Sequence, residues 1–178
     1  MGKTPEEWGK SYEEQIEKYH KFEERLVSLI RDLIEENHIE IAQIISRTKG
    51  KDSFTEKIKR KSYENPFKQC TDLVGIRIIV FHLDDLSEIS SIIENEFLID
   101  HENSIDKSKL LDPDRFGYLS IHYVASLSDP RFTQTEWKLY SELKFEIQIR
   151  TILQHAWSEI DHKLRYKKED EVPRELKR

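Results

Sequence analysis

A β-sheet flanked by helices is the fold this sequence predicts, and three stretches predict it. The first is FEIQIRTILQHAWSEIDHKLRY, Phe145 to Tyr166. In its first half Phe145, Ile147 and Ile149 point one way and Glu146, Gln148 and Arg150 the other, the alternation of a strand with one buried face. In its second half Ile152, Ala156, Ile160 and Leu164 recur every four residues beside Leu153 and Trp157, the period of an amphipathic helix. The second stretch is DLVGIRIIVF, Asp72 to Phe81, the most strand-like run in the chain. The third runs from Thr4 to Asn37, where Trp8, Tyr12, Ile16, Tyr19, Leu26, Leu29, Ile30, Leu33 and Ile34 form one apolar stripe. It reads as a single long helix whose aromatic residues belong to the core.

Composition bounds the function. A chain of 178 residues is one domain by default and long enough to bury a core. The formal net charge is −6, so wholesale coating of nucleic acid is excluded, and an anionic substrate must meet a local basic cluster. The one cysteine, Cys70, excludes an intrachain disulfide and a cysteine-rich zinc site. No apolar run approaches the ~20 residues of a membrane span. The start, MGKTPEEWGK, lacks the apolar region of a signal peptide, which predicts a cytoplasmic protein with no membrane partner.

Each element has its own signal. Thr4 caps the first helix, Pro5 suits its first turn, and Glu6 and Glu7 favour its dipole. Ile39 to Ile45 is expected as a short strand. The basic stretch SRTKGKDSFTEKIKRK follows, Ser46 to Lys61. Arg47, Lys49 and Lys51 lie on a loop or strand end, and Ser53 with Glu56 makes a capping box from which a helix carries Lys57, Lys59, Arg60 and Lys61. A charge run is ordinarily a solvated face. These cations straddle a helix N-terminus, itself an anion site, and so point to polyphosphate.

In the strand Asp72 to Phe81, Ile76, Ile78 and Val80 share one face and Arg77, Ile79 and Phe81 the other. Arg77 in so apolar a strand is costly unless it meets an anion or a flat π surface. Asp72 has the other parity and can share a site with Arg77 only if the chain turns or bulges near Gly75. Asp84 to Phe97 reads as a surface helix, 98–116 as a polar, loop-rich stretch, and 128–143 as a loop with a short helix. Between the last two, Tyr118, Ser120 and His122 share one face of a strand and Leu119, Ile121, Tyr123 and Ala125 the other. The residues leave two readings open there: a base-stacking platform, or a half-buried strand with a satisfied histidine. Pro173 opens what reads as a further helix, as though the C-terminus were truncated.

Three strand ends thus offer polar groups: Asp72 and Arg77; Tyr118, Ser120 and His122; Glu146, Gln148 and Arg150. Asp72 and Glu146 are a pair of carboxylates suited to one Mg²⁺, which takes few protein oxygens and completes its shell with water and phosphate. His155, Glu159, His162 and Tyr166 share another face of the last helix. His155 and His162 stand about 10 Å apart along its axis, too far for a compact zinc site.

The strings SRTKGKDSFTEKIKRK, DLVGIRI, GYLSIHYV and EIQIRTILQHAWSEIDHKLRYK, in that order and over about residues 40 to 167, resemble the RelA/SpoT-type alarmone synthetase domain, in its small-synthetase or toxic form. The resemblance implies an α+β fold, a mixed β-sheet flanked by helices like that of nucleotidyltransferases. It implies a GTP pyrophosphokinase that moves pyrophosphate from ATP to the 3′-hydroxyl of GTP or GDP and releases AMP. Arg47 and Arg77 would sandwich the ATP adenine. Lys49, Lys51, Ser53, Lys57 and Arg60 would lie around the ATP phosphates, and Asp72 and Glu146 would hold Mg²⁺, Glu146 also as candidate base. Tyr118 would stack on the acceptor base, with Ser120 on the same face, and His122, Gln148 and Arg150 would line the acceptor site. The hydrolase domain of the bifunctional relatives is expected to be absent, and a homo-oligomer is expected for the full-length protein.

One departure bears on the acceptor. Family members approach the Gly-Tyr through a lysine-rich loop, whereas this chain reads LLDPDRFGYLS, with Asp112, Asp114 and the single cation Arg115. Like charges near a polyphosphate raise the cost of binding it. The form with FGY and LQHAW resembles relatives that include toxic synthetases, some of which place pyrophosphate on a tRNA 3′ end. That end is the alternative acceptor the resemblance implies, and a non-catalytic nucleotide-binding module is the third reading. The intact carboxylate pair speaks against the module.

Overall fold

The computed structural model describes residues 2–106 and 120–166. Helix α1 (Pro5–Glu13) begins in a reciprocal cap: Thr4 N–H donates to Glu7 Oε2 at 2.7 Å, and Glu7 N–H donates to Thr4 Oγ1 at 3.2 Å. The single helix expected over 4–37 is in fact two. The chain leaves helical geometry at Gln15 (φ −111°, ψ 1°) and resumes as α2 (Ile16–Glu36). A straight helix of that span would be about 50 Å long, too long for one small core to cover. The bend lets α1 run along α3 (Lys51–Lys61) while α2 crosses the sheet, so one apolar stripe serves two surfaces. At the α1–α3 crossing a Cβ on Gly9 would lie 2.5 Å from Thr55 Oγ1, so the close approach requires glycine.

Strand β1 (Ile41–Thr48) starts and ends later than expected and carries Arg47 within its pairing. The Ser53–Glu56 capping box is also overturned. Helix α3 begins at Lys51 with Gly50 as its N-cap, the Phe54 N–H donating to Gly50 O at 2.9 Å, and Ser53 lies exposed in the first turn. The tight β1–α3 connection starts the helix before the capping signal is reached. A short helix α4 (Pro66–Gln69) leads to a turn over 71–73 and then to β2 (Val74–Val80). That turn settles the parity of Asp72; the register of β2 itself runs unbroken through Gly75.

Helix α5 (Leu83–Glu96) buries Leu86, Ile89 and Ile93. The stretch taken as loop contains β3 (Phe97–Ile99) and β4 (Ile105–Asp106), both antiparallel to β5 (Ile121–Leu127). Both are too short to show a period. Helix α6 (Asp129–Phe132) and a single 3₁₀ turn, Lys138–Tyr140, lead to β6 (Phe145–Thr151) and α7 (Ile152–Tyr166). The expected further helix at Pro173 lies outside the described residues.

The sheet is mixed, in the order β1-β2-β6-β5-β3 with β4 beside β5; β2 and β6 are parallel and the other pairs antiparallel. One face, with Ile76, Ile78, Phe145, Ile147, Ile149, Ile121, Tyr123 and Ala125, is buried under α2 and α5 with Phe22, Leu26 and Ile30. The other face carries the polar residues. The α+β expectation therefore holds.

Helix α7 forms where the amphipathic period predicts it, and its orientation is a separate matter. Its apolar stripe points outward, with Ile152, Leu153, Trp157 and Ile160 all exposed, while Ser158 and Glu159 turn toward the sheet. Amphipathic period identifies a stripe and says nothing about which way it faces.

Candidate active site

Strand register builds the site. Arg47 pairs with Gly75 and Gly75 with Glu146; Arg77 pairs with Gln148 and Gln148 with His122. Residues opposite one another in a sheet share a face, so these rows bring Arg47, Arg77, Glu146, Gln148 and His122 onto the open one. A cavity of about 370 Å³ lies there, lined by Ile45, Ser46, Arg47, Asp72, Gly75, Ile76, Arg77, Glu146, Gln148 and Glu159. Arg47 lies across Gly75, where a Cβ would come within 3.8 Å of its Cγ and Nε.

Asp72 is the most heavily tied group. Lys49 Nζ lies 2.8 Å from its Oδ2, Lys57 Nζ lies 2.8 Å from its Oδ1, and Cys70 Sγ–H donates to Oδ1 at 3.0 Å. Burial opposes its ionisation, but the two ammonium groups and the thiol overcome that and hold the carboxyl well below the usual carboxylate range. Burial, and then the same carboxylate, push the Cys70 thiol up to about 12. Lys57 is raised: burial works against its charge, and the pairing with Asp72 outweighs it.

Glu146 is tuned oppositely. Burial and the charge of Asp72 raise its pKa, against a hydrogen bond from Thr71 Oγ1 at 3.1 Å. Two neighbouring carboxylates of divergent proton affinity are the arrangement expected where one acts as a base or binds a cation.

Arg77 is held by its edge, Nε donating to Gln148 Oε1 and Nη1 to Glu159 Oε1, each at 3.3 Å. In-plane hydrogen bonds leave the guanidinium faces available for stacking. Next to it, His155 has its Nδ1 buried without a hydrogen-bond partner, and burial and the Arg77 charge lower its pKa. Toward β5, Ser120 Oγ and His122 Nε2 lie 2.9 Å apart. Arg150 is buried beneath α7, Nη1 donating to Ser158 Oγ at 2.8 Å. The strand-to-helix junction is closed by Thr151 and Gln154, each donating its N–H to the other's side-chain oxygen.

Arg47, Asp72, Arg77, Glu146 and Gln148 are thus gathered round one cavity, with Lys49 and Lys57 fastened to Asp72. None of the five expected phosphate-site residues is in the cavity lining itself: Lys49 and Lys57 reach it through Asp72, and the other three point elsewhere. Lys51 pairs with Glu13 at 2.6 Å, and Ser53 and Arg60 are exposed on α3. Tyr118, Asp112, Asp114 and Arg115 lie outside the described residues. Sequence reasoning gave no role to Glu159, although the helix face it shares with His155 was the signal. It also missed Thr71 and Cys70, which bear no pattern of their own. Among the described residues no three His, Cys, Asp or Glu side chains form a metal cluster, and no helix is long and apolar enough to cross a membrane.

Known proteins resemble this chain in sequence and in fold. The profile of a family described as "Region found in RelA / SpoT proteins" matches residues 46–171. The chain is 30% identical over 146 residues to GTP pyrophosphokinase YwaC of Bacillus subtilis (strain 168), an alignment covering 78% of this chain and 65% of that protein. It therefore spans just under two thirds of that relative's length. The structure is similar to small alarmone synthetase 2 from Bacillus subtilis, with a TM-score of 0.71 and 25% identity over 93% of this chain and 85% of that one. It is also similar to small alarmone synthetase 1 from the same organism bound to its product pppGpp, with a TM-score of 0.66 and 26% identity over 89% and 82%.

Proposed function

The chain belongs to the RelA/SpoT family, and from that premise we propose that it is a GTP pyrophosphokinase, transferring pyrophosphate from ATP to the 3′-hydroxyl of GTP or GDP to make (p)ppGpp and AMP. The observation that carries this reading is one cavity bordered by two arginines, a low-affinity and a high-affinity carboxylate for protons, and, at its Asp72 end, two lysines. The pppGpp bound by a related synthetase supports the acceptor.

In this reading Arg47 and Arg77 stack on the adenine, and Lys49 and Lys57 exchange the Asp72 carboxylate for the β- and γ-phosphates. The 3′-oxygen attacks the β-phosphorus, the bond to the α-phosphate's bridging oxygen breaks, and AMP leaves. Glu146 takes the hydroxyl proton, a role its raised proton affinity suits. Ser120, His122, Gln148 and Arg150 line the acceptor side, with Tyr118 on its base. Lys51, Ser53 and Arg60 sit at the start and end of α3, on the approach to the phosphates. The carboxylates also fit Mg²⁺: Asp72 and Glu146 would supply two oxygen ligands, and a divalent cation would relieve the unfavourable negative field at Glu146. Bound there, Mg²⁺ would neutralise phosphate charge. A cytoplasmic setting follows from the substrates. The exposed apolar side chains of α7 support a homo-oligomer, which sedimentation would reveal.

A tRNA 3′ end is favoured as acceptor by one observation, Asp112 and Asp114 ahead of Gly117 and Tyr118. Incubation with γ-labelled ATP and, separately, GDP, GTP, ATP and bulk tRNA separates the readings. Label should pass to GDP or GTP. Label on tRNA moves the acceptor, and label on none of them overturns the transferase reading.

A further inference from the structure

The connection from β1 to α3 is held from outside the matched region. Tyr12 Oη donates to the carbonyl of Lys49 at 2.6 Å, and Thr48 Oγ1 donates to Glu23 Oε2 at 2.6 Å. The Lys49 N–H donates to Leu73 O at 2.8 Å. Both backbone polar groups of Lys49 are therefore pinned, one to α1 and one to the turn that carries Asp72. Tyr12 is wholly buried, its ring packed on Phe54 and Tyr19 with centroids 4.5 and 5.1 Å away. A phenylalanine would supply that packing equally well. The hydroxyl adds one thing, the bond to Lys49, the residue whose Nζ meets Asp72. Tyr12 and Glu23 both precede residue 46, where the family match begins.

We propose that Tyr12, assisted by Glu23, is a positioning residue for the polyphosphate-binding lysine: α1 holds the Lys49 carbonyl and α2 the neighbouring Thr48 side chain, so that the Lys49 ammonium is held at the phosphate end of the cavity. This rests on the reading of that cavity as the ATP site. An anchored lysine loses little freedom when it changes partner from Asp72 to a phosphate, whereas a loose one must be ordered during binding. The hydrogen bonds from Tyr12 and Glu23 end on Lys49 and Thr48, whereas the acceptor side is built on β5 and β6 and should not feel their loss.

The test uses Tyr12→Phe and Thr48→Val in the full chain, measuring kcat, the Michaelis constants for ATP and for the acceptor, thermal midpoint, and binding of a non-hydrolysable ATP analogue and of inorganic tripolyphosphate. The expected result is a rise of about three- to tenfold in the Michaelis constant for ATP, equal to loss of one hydrogen bond, with matching losses for the analogue and for tripolyphosphate. The acceptor's Michaelis constant should stay unchanged. Unchanged constants in both variants overturn the proposal. So do parallel losses for donor and acceptor with a lowered midpoint, since a purely structural residue would act that way. Wild-type protein that binds tripolyphosphate but transfers nothing refutes the transferase reading, and the brace is then judged on tripolyphosphate affinity. Wild-type protein that binds neither ligand overturns both.

Discussion

Asp72 and His122 stand toward opposite sides of the same open sheet face, and the chain holds them in different ways. Asp72 lies on a turn, is largely buried, and is fixed by Lys49, Lys57 and Cys70 from three separate segments. His122 sits within β5, placed by its pairing with Gln148 and by its neighbour Ser120. Charge that must be buried needs partners, so at Asp72 the chemistry and the stability of the fold are coupled. At His122 the strand supplies the position, and the side chain carries no buried charge that folding must neutralise as it must at Asp72. Glu146, on β6 between them, should matter to both sides.

The largest expected effect tests that middle position. Glu146→Gln keeps size and removes charge, and turnover should fall by on the order of 10² or more with folding intact. A folded variant of near-normal turnover would refute the role. Because burial and the charge of Asp72 raise its pKa, Glu146 ionises at a higher pH than a free glutamate. The rate should therefore rise with pH through that higher value, an acid limb that a pH–rate profile detects and that Glu146→Gln should abolish.

Asp72→Asn would break the coupling directly. It leaves Lys49 and Lys57 near each other without a counter-charge, at a cost of about 3 kcal/mol by analogy with removing one member of a buried pair. His122→Ala should cost less than about 1 kcal/mol. Urea midpoints decide the matter, and equal losses at the two positions would erase the distinction. The pH dependence has a definite sign. The folded pKa of Asp72 is depressed, so its stabilisation is present above the ordinary value of 3.8 and is lost as pH falls through the folded value. Wild-type protein should lose more stability on acidification than Asp72→Asn.

Tyr118→Ala should weaken acceptor use by roughly 1–3 kcal/mol, the worth of one stacked aromatic, and leave ATP-analogue binding unchanged. If ATP binding falls instead, Tyr118 belongs to the donor side. Arg77→Ala is the mirror test and the smallest effect. It should weaken the ATP analogue by about 1 kcal/mol and spare the acceptor. Unchanged analogue affinity would make Arg77 a structural residue.

Much of this was legible in the chain. The alternation of Phe145 to Arg150 and of Ile76 to Phe81 assigned both central strands and both of their faces, because period two maps directly onto a pleated sheet. Of the polar residues that line the cavity, Arg47, Asp72, Arg77, Glu146 and Gln148 were found from the strands, their ends or the basic stretch, and Glu159 was not. Local signals failed where they competed with packing. The 4–37 stripe reads as continuous, yet the chain bends at Gln15 because α3 and the sheet need its two halves in different directions. The Ser53–Glu56 signal is genuine in isolation, but the short connection from β1 starts the helix at Lys51.

What the sequence alone determined was which residues share a face: Glu146 with Gln148, Arg77 opposed to Ile76 and Ile78, Glu159 with His155. Such relations follow from backbone geometry within one element and need nothing from the rest of the chain. Tertiary structure decided which faces meet. It turned the apolar side of α7 outward and Glu159 in toward Arg77, and it closed Lys49, Lys57 and Cys70 around Asp72. It also tied Tyr12 to a carbonyl 37 residues away. Those contacts depend on how layers stack and where turns aim their side chains, and the free energy that selects them comes from burying apolar area and compensating buried charge over the whole molecule at once.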